Sequence, residues 1–353
     1  MREYGSEHPA VLLPDRYFSS FEDFCNCTWL RSGREALYLV ALTEKADDKT
    51  PTILVPAYSC HSMVDPFVKA GWRAFYYPLN PDLTVHIDCL RQLLITLQPD
   101  AVLTMNYFGS SPTNEAVDCI KENNKWCVII EDFSHCTFAF DTIVNPKVDY
   151  YVSSIRKSIG VCDGGVVVSN RRIEKKYINY EQTDFSGKRY DNQLLKGQYS
   201  FSKDLKQKAE FYPNLRQQES ELDNFTAIFQ ISSTGMNMLQ EINGASIRYA
   251  RQKNMEHILS LLDGKVKTIP GIERCIKGAP FSMPILVEDR DAVQSRLAEK
   301  GVYAPVLWPI SVEARKVCPI SARMADKMLS IPIDQRYNWD DIEDIARIVL
   351  ETI

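Results

Sequence analysis

Val128-Ile-Ile-Glu-Asp-Phe-Ser-His135 and Tyr150-Tyr-Val-Ser-Ser-Ile-Arg-Lys157, the second running on to Asp163-Gly164-Gly165, are the stretches on which the fold turns. Each begins as an apolar run of the kind a buried strand shows. Each ends in charged or hydroxylic residues where such a strand would emerge. An acid at the end of one strand and a lysine just past the next can share one crevice. In open α/β sheets that crevice, at the carboxyl ends of the strands, is where ligands bind.

Outward from these stretches, residues 32–169 alternate helical and strand patterns. Apolar residues at helical spacing (Leu37, Val40, Leu42), with Ser32 or Gly33 as cap, predict a helix over 34–45. Strands are expected at 52–56, 73–78, 101–105 and 126–131, and helices at 61–70, 87–97 and 113–123. That alternation predicts an α/β fold with a mostly parallel sheet covered by helices on both faces. Strands at 148–153 and 165–169 have no helix of useful length between them, so the sheet is expected to be mixed beside the lysine. Residues 182–223 are polar with weak periodicity, and read as a long excursion with partial helix: an insertion, a lid or a dimer arm. One or two long helices follow over 222–262, broken at Gly235 or Gly244. A smaller α/β unit closes the chain, with strands at 281–287, 302–307 and 328–332 and helices at 289–300 and 340–351. The expected division is a large ligand-binding domain over 1–235 and a small C-terminal α/β domain over 236–353.

The 353 residues are 45% hydrophobic and 25% charged, with a net charge of −5, which is ordinary globular composition. No concentrated basic face of the kind that tracks phosphates is in view, so nucleic acid is not expected as a partner. The ten cysteines form no Cys-x-x-Cys pair and no metal-finger spacing, and no metal is expected. They read as reduced thiols used as small hydrophobes, which suits a reducing cytoplasm; Cys25-Asn-Cys27 is too tight for ordinary redox pairing. The first residues, Met1-Arg-Glu-Tyr-Gly-Ser-Glu-His8, lack the apolar core of a signal peptide, and no stretch approaches the ~20 apolar residues of a membrane span. The expectation is a cytoplasmic protein without a membrane partner.

Lys157 is the central candidate. A lysine in a partly desolvated cleft reaches the neutral amine that attacks an aldehyde. Asp132, at the end of a buried-type strand, must be paired. An acid facing a lysine across an α/β cleft suggests pyridoxal phosphate (PLP), held as an imine on Lys157 with its ring nitrogen on Asp132. The bland alternative for Asp132 is a strand-end acid that caps a helix or pairs with an arginine. His135 can hydrogen-bond the cofactor's phenolic oxygen or stack on its ring; an isolated histidine is more often structural. Ser153 and Ser154 offer hydroxyls for a phosphate, and Arg156 a cationic contact. Ser32-Gly33-Arg34 opens a helix whose N–H groups can bind an anion, with glycine allowing close approach. Tyr58, in Pro56-Ala-Tyr-Ser-Cys60, can cover a flat ring or simply pack.

Together and in this order, these segments resemble the DegT/DnrJ sugar aminotransferases, PLP enzymes of the aspartate aminotransferase fold, fold type I. The similarity covers most of residues 30–170 and runs more thinly to the C-terminus. Ser32-Gly33-Arg34 stands where the family has a Ser-Gly-Thr-like helix start that binds the phosphate. Pro56-Ala-Tyr-Ser-Cys60 stands for its Pro-x-x-Thr-aromatic segment, which puts Cys60 at the ring-stacking position. Asn106-Tyr-Phe-Gly109 matches a His-x-Tyr-Gly-like turn, and Glu131-Asp-Phe-Ser-His135 matches Glu-Asp-Ala-Ala-Gln. Lys157 with Gly164-Gly165 matches the family lysine and its Gly-Gly, and Leu329 to Tyr337 resembles the closing strand. The resemblance implies a seven-stranded, mostly parallel mixed sheet, PLP on Lys157, and a homodimer with sites at its interface. It also implies transfer of an amino group from an amino acid such as glutamate to a keto substrate, a nucleotide-linked keto sugar among the options, in sugar or polysaccharide biosynthesis.

The chain departs from the family pattern in three places. The serine usually found five positions before the lysine is Val152, so Ser153 or Ser154 must take over. The Asn-Tyr-Arg-Met stretch that reaches the partner's phosphate is not recognisable, and Asp223-Asn224-Phe225 lies in about that place. The connection from Gly-Gly to the long helix is unusually long. Two alternatives stay open: another PLP reaction such as dehydration, whose enzymes carry histidine in place of the lysine, and a regulatory protein that kept the fold without turnover.

Overall fold

The computed structural model describes residues 2–9, 27–46, 48–110 and 113–353, so Cys25 lies outside the described residues. Strand β1 (Tyr4–Gly5) opens it. The main sheet is then built from β2 (Cys27–Leu30), β3 (Thr52–Pro56), β4 (Arg73–Tyr77), β5 (Ala101–Met105), β6 (Val128–Asp132), β7 (Tyr150–Ser153) and β8 (Gly165–Ser169). Between them lie α1 (Gly33–Thr43), α2 (His61–Lys69), α3 (Ile87–Leu97) and α4 (Asn114–Asn123). The sheet has seven strands in the order β2-β8-β7-β6-β5-β3-β4. Strands β4, β3, β5, β6 and β7 are parallel, while β8 runs antiparallel to both β7 and β2. Strands β3, β5, β6 and β8 are buried along their whole length, which is why they read as unbroken apolar runs rather than alternations. The reversed β8 follows from the short link after Lys157: a parallel return needs a long crossover, and none is there.

Residues 182–223, expected as only partly helical, form a complete helical hairpin. A short strand β9 (Ile178–Asn179) precedes it, and its arms are α5 (Phe185–Ser202) and α6 (Leu205–Asp223). The reading failed because the hairpin packs through charge. Arg189 of α5, only 1% exposed, donates to Glu7 at 2.6 Å and to Glu219 of α6 at 2.9 Å. Buried ion pairs leave no apolar stripe for periodicity to reveal. The one or two long helices expected over 222–262, with a break at Gly235 or Gly244, are the end of α6, β10 (Ile228–Phe229), α7 (Ser233–Gln240) and α8 (Gly244–Leu262); the helical break falls just before Gly244, and the short strand β10 was not expected.

The C-terminal unit contains α9 (Cys275–Gly278), β11 (Ser282–Leu286), α10 (Arg290–Glu299), β12 (Val302–Tyr303), α11 (Val312–Val317), α12 (Pro319–Lys327), β13 (Met328–Pro332) and α13 (Trp339–Leu350). Strands β11 and β13 pair antiparallel, and β1 joins β12 in parallel. The strand expected over 302–307 stops at Tyr303. Helix α13 starts with a capping box between Asn338 and Asp341, and acids fill its first turn.

Candidate active site

The carboxyl ends of β2, β6 and β7 lie at one edge of the sheet, and each delivers a candidate residue there. Strand β2 leads through Arg31 and Ser32 into α1; β6 ends on Asp132; β7 ends on Ser153, followed by a tight turn over Ile155–Lys157. Glycines let these ends close up. A Cβ on Gly165 would sit 2.2 Å from the Ser32 carbonyl, and one on Gly33 would sit 2.9 Å from Ser154 Cβ. The start of α1 is therefore pressed against the end of β7, with its first N–H groups at the site.

Two adjoining cavities result. A small one, about 30 Å³, is lined by Ser32, Gly33, Arg34, Asp132, Ser154 and Lys157, among others. A large one, about 690 Å³, is lined by His135, Trp308, Arg336 and others. Arg156 and Lys157 line both, so the two cavities meet at these residues. Asp132 and Lys157 thus share one cavity, although they come from different strands.

Asp132 is buried, and that burial pushes its carboxyl up from the ordinary carboxylate range, against the pull of the Lys157 charge and of Ser134. One of its oxygens accepts from the Ser134 N–H at 2.8 Å. A buried carboxylate of this kind becomes fully ionic once a cationic N–H is placed against it. His135 is held well below its usual range by burial, then by the Lys157 charge, so its imidazole is neutral. Its Nδ1 accepts from the Phe108 N–H at 3.4 Å, which assigns the ring proton to Nε2. The ring stacks on Trp308, centroids 5.3 Å apart and planes 23° apart.

Several of the residues singled out in the sequence do other work. The Ser32 hydroxyl caps α1, accepting from the Glu35 N–H at 3.3 Å, and donates to the Glu35 carboxylate at 2.7 Å. The Ser153 hydroxyl is engaged with Thr137 at 2.8 Å and is fully buried, which leaves Ser154, just past the end of β7, as the serine at the cavity. Tyr58 is buried beside Trp308 (centroids 5.1 Å), its hydroxyl 3.4 Å from Met328 Sδ, and it lines neither cavity. Cys60 lines neither as well; its thiol lies 2.9 Å from the Ser62 hydroxyl, and Ser62 and Met63, in the first turn of α2 just past that segment, are the residues that reach the small cavity. Sequence reasoning missed Trp308, Ser62 and Ser134. Trp308 lies in the C-terminal unit, and nothing local to it signals a site.

The residues present fit pyridoxal phosphate. Asp132 suits a ring N–H⁺, the His135 Nε2–H suits a phenolic oxygen, and Lys157 supplies an amine. A phosphate finds the start of α1, Ser154, and the guanidiniums of Arg34 and Arg156. Arg34 Nη1 and Arg156 Nε are buried and lack an acceptor, as the residues of an anion site would before the anion binds. Among the described residues no group of three or more His, Cys, Asp or Glu is placed to hold a metal, and every described cysteine is a free thiol. No described helix is long and apolar enough to cross a membrane.

No protein-family model and no curated protein matches the chain. Solved structures do match it. One is the aminotransferase of pseudoaminic acid biosynthesis from Helicobacter pylori, with 15% identity, 99% of each chain covered and a TM-score of 0.67. A DegT DnrJ EryC1 StrS aminotransferase from Brucella abortus shares 14% identity over 92% of this chain and 85% of its own, with a TM-score of 0.61. Serine palmitoyltransferase from S. paucimobilis, with a bound PLP-myriocin aldimine, shares 14% identity over 94% of this chain and 73% of its own, also at 0.61. At such identities the likeness is one of fold, and with the seven-stranded mixed sheet it establishes that this chain has the architecture of the fold type I PLP-dependent enzymes.

Proposed function

We propose that the protein is a PLP-dependent aminotransferase of the DegT/DnrJ kind, moving an amino group from an amino acid, with glutamate the first choice, to a keto substrate. The observation that carries this reading is that Asp132 and Lys157 line one cavity at the carboxyl edge of the sheet, with a neutral imidazole beside them. Bound there, pyridoxal phosphate supplies an electron sink for the pair released when an amino-bearing carbon loses its proton. Asp132 holds a positive charge opposite its buried carboxylate, which makes that sink effective. Lys157 anchors through Nζ and, once released, holds and moves a proton at that same atom. His135 donates from Nε2 and, pinned between the Phe108 N–H and Trp308, cannot swing away.

The large cavity, about 690 Å³, has room for a substrate bigger than an amino acid. A keto sugar, carried on a nucleotide, is the acceptor class this reading takes; the Helicobacter pylori neighbour named for pseudoaminic acid biosynthesis supports it. The reading also takes a homodimer as the working unit, which sedimentation of the purified protein tests. Retention of Lys157 speaks for amino transfer over dehydration. The decisive experiment loads the full chain with PLP, adds glutamate and measures 2-oxoglutarate. Stoichiometric release by the wild type and none by Lys157→Ala supports the assignment. Loading without release by any amino donor would leave a protein that keeps the fold without turnover.

A further inference from the structure

Arg34 in the first turn of α1 and Arg156 beside Lys157 come from different elements and both line the small cavity. Each carries a buried N–H without an acceptor, Arg34 at Nη1 and Arg156 at Nε. Both are also held by the last turn of one helix, Arg156 through Nη1 and Nη2 and Arg34 through Nη2. Glu219 receives Arg156 through two bonds, 2.7 and 3.0 Å, and Asp223 receives Arg34 at 2.5 Å. Glu219 and Asp223 are four apart on α6, so they share a face. Glu219 is fixed in turn by the buried Arg189, which also holds Glu7. A guanidinium gripped by a carboxylate on one edge has lost most of its rotamer freedom, and it presents its spare N–H groups in a set direction.

We propose that Arg34 and Arg156 form a two-sided guanidinium clamp for a phosphate monoester seated at the start of α1, and that Glu219 and Asp223 on the last turn of α6 are the positioning residues that aim it. The proposal rests on the PLP reading, since it names the cofactor's phosphate as the group clamped. It gives the helical hairpin α5–α6 a role in the site: without the hairpin's last turn the two guanidiniums lose their carboxylate holders, and the phosphate loses oriented donors that this chain supplies from within itself.

The test compares pyridoxal phosphate with pyridoxal, which lacks the phosphate, by calorimetric titration of the cofactor-stripped full chain. The quantity read is the ratio of the two dissociation constants. In Arg34→Met and in Arg156→Met the preference for the phosphorylated compound should fall about tenfold or more, while pyridoxal itself binds as before, which shows that the site is still folded. In the double variant Glu219→Gln/Asp223→Asn both guanidiniums remain, yet the preference should also fall. A preference unchanged in both methionine variants overturns the clamp. A preference that rises in the double variant overturns the role of α6, because the carboxylates would then only have been opposing the phosphate's charge. Should a methionine variant lose pyridoxal too, Arg34→Lys and Arg156→Lys carry the test: each keeps a cation without the fork, and the preference must still drop about fivefold. A wild type that binds neither compound sinks the cofactor reading itself, a result distinct from binding both with no role for the arginines.

Discussion

Glu131, the residue before Asp132, sets up a pH dependence of stability that can be measured separately from activity. It is fully buried in β6, and burial pushes its carboxyl up to about 7, against hydrogen bonds from Thr113 and Asn106. Thr113 Oγ1 lies 2.5 Å from one oxygen. The other oxygen, Oε1, has no partner, and neither does Oδ1 of Asn106. The group's pKa is higher folded than unfolded, so the folded state binds more protons and stability falls as pH rises. The contribution is complete below the unfolded value of 4.5 and is gone once pH has passed through about 7. At about 1.4 kcal/mol for each pKa unit this amounts to about 3 kcal/mol, most of it lost between about pH 5 and 8. His8 slopes the other way: burial, with the Arg336 charge beside it, holds it down at about 3, so its contribution grows as pH rises toward 6.5. Only a difference curve isolates Glu131. Glu131→Gln keeps the shape and the acceptor for Thr113, and cannot ionise. Urea unfolding of the cofactor-free wild type and variant, run across that pH range, should show the variant gaining about 2–3 kcal/mol on the wild type from the acid end to the alkaline end. Two curves that stay parallel to within about 0.5 kcal/mol would refute the reasoning.

Three further outcomes follow from the same geometry. Arg189→Met should cost about 1–3 kcal/mol in unfolding experiments, because it leaves Glu7 without its buried partner and Glu219 with Arg156 alone; a melt unchanged from wild type would show that the hairpin is held otherwise. Gly165→Ala places a Cβ 2.2 Å from the Ser32 carbonyl, so it should destabilise by about 1–3 kcal/mol or more and weaken PLP binding by displacing the start of α1, both visible in one thermal-shift titration. Asp132→Asn preserves the shape of the site but not its charge, and should lower glutamate-dependent release of 2-oxoglutarate on the order of 100-fold while PLP still loads; near-normal turnover would remove Asp132 from its proposed role.

The sheet and its reactive edge could be read directly along the chain. Fully buried parallel strands are written as continuous apolar runs, so β3, β5, β6 and β8 were visible within a residue or two of their ends, and with them Asp132 and Lys157 at the edge where such strands deliver ligand-binding groups. The absence of room for a crossover after Lys157 was legible too, and it predicted the reversed β8. What depends on distant contacts was not legible. Helices α5 and α6 pack through Arg189, Glu219 and Glu7, and charge carries no helical periodicity. Trp308 reaches His135 from the C-terminal unit, a relation no local pattern encodes. The serines show the same limit: Ser153, the last residue of β7, is bound to Thr137, while Ser154, where the chain leaves the strand for the turn, reaches the cavity. Chain order determined which residues arrive at the edge of the sheet; only packing in three dimensions decided which of them face the cavity, and what stands opposite.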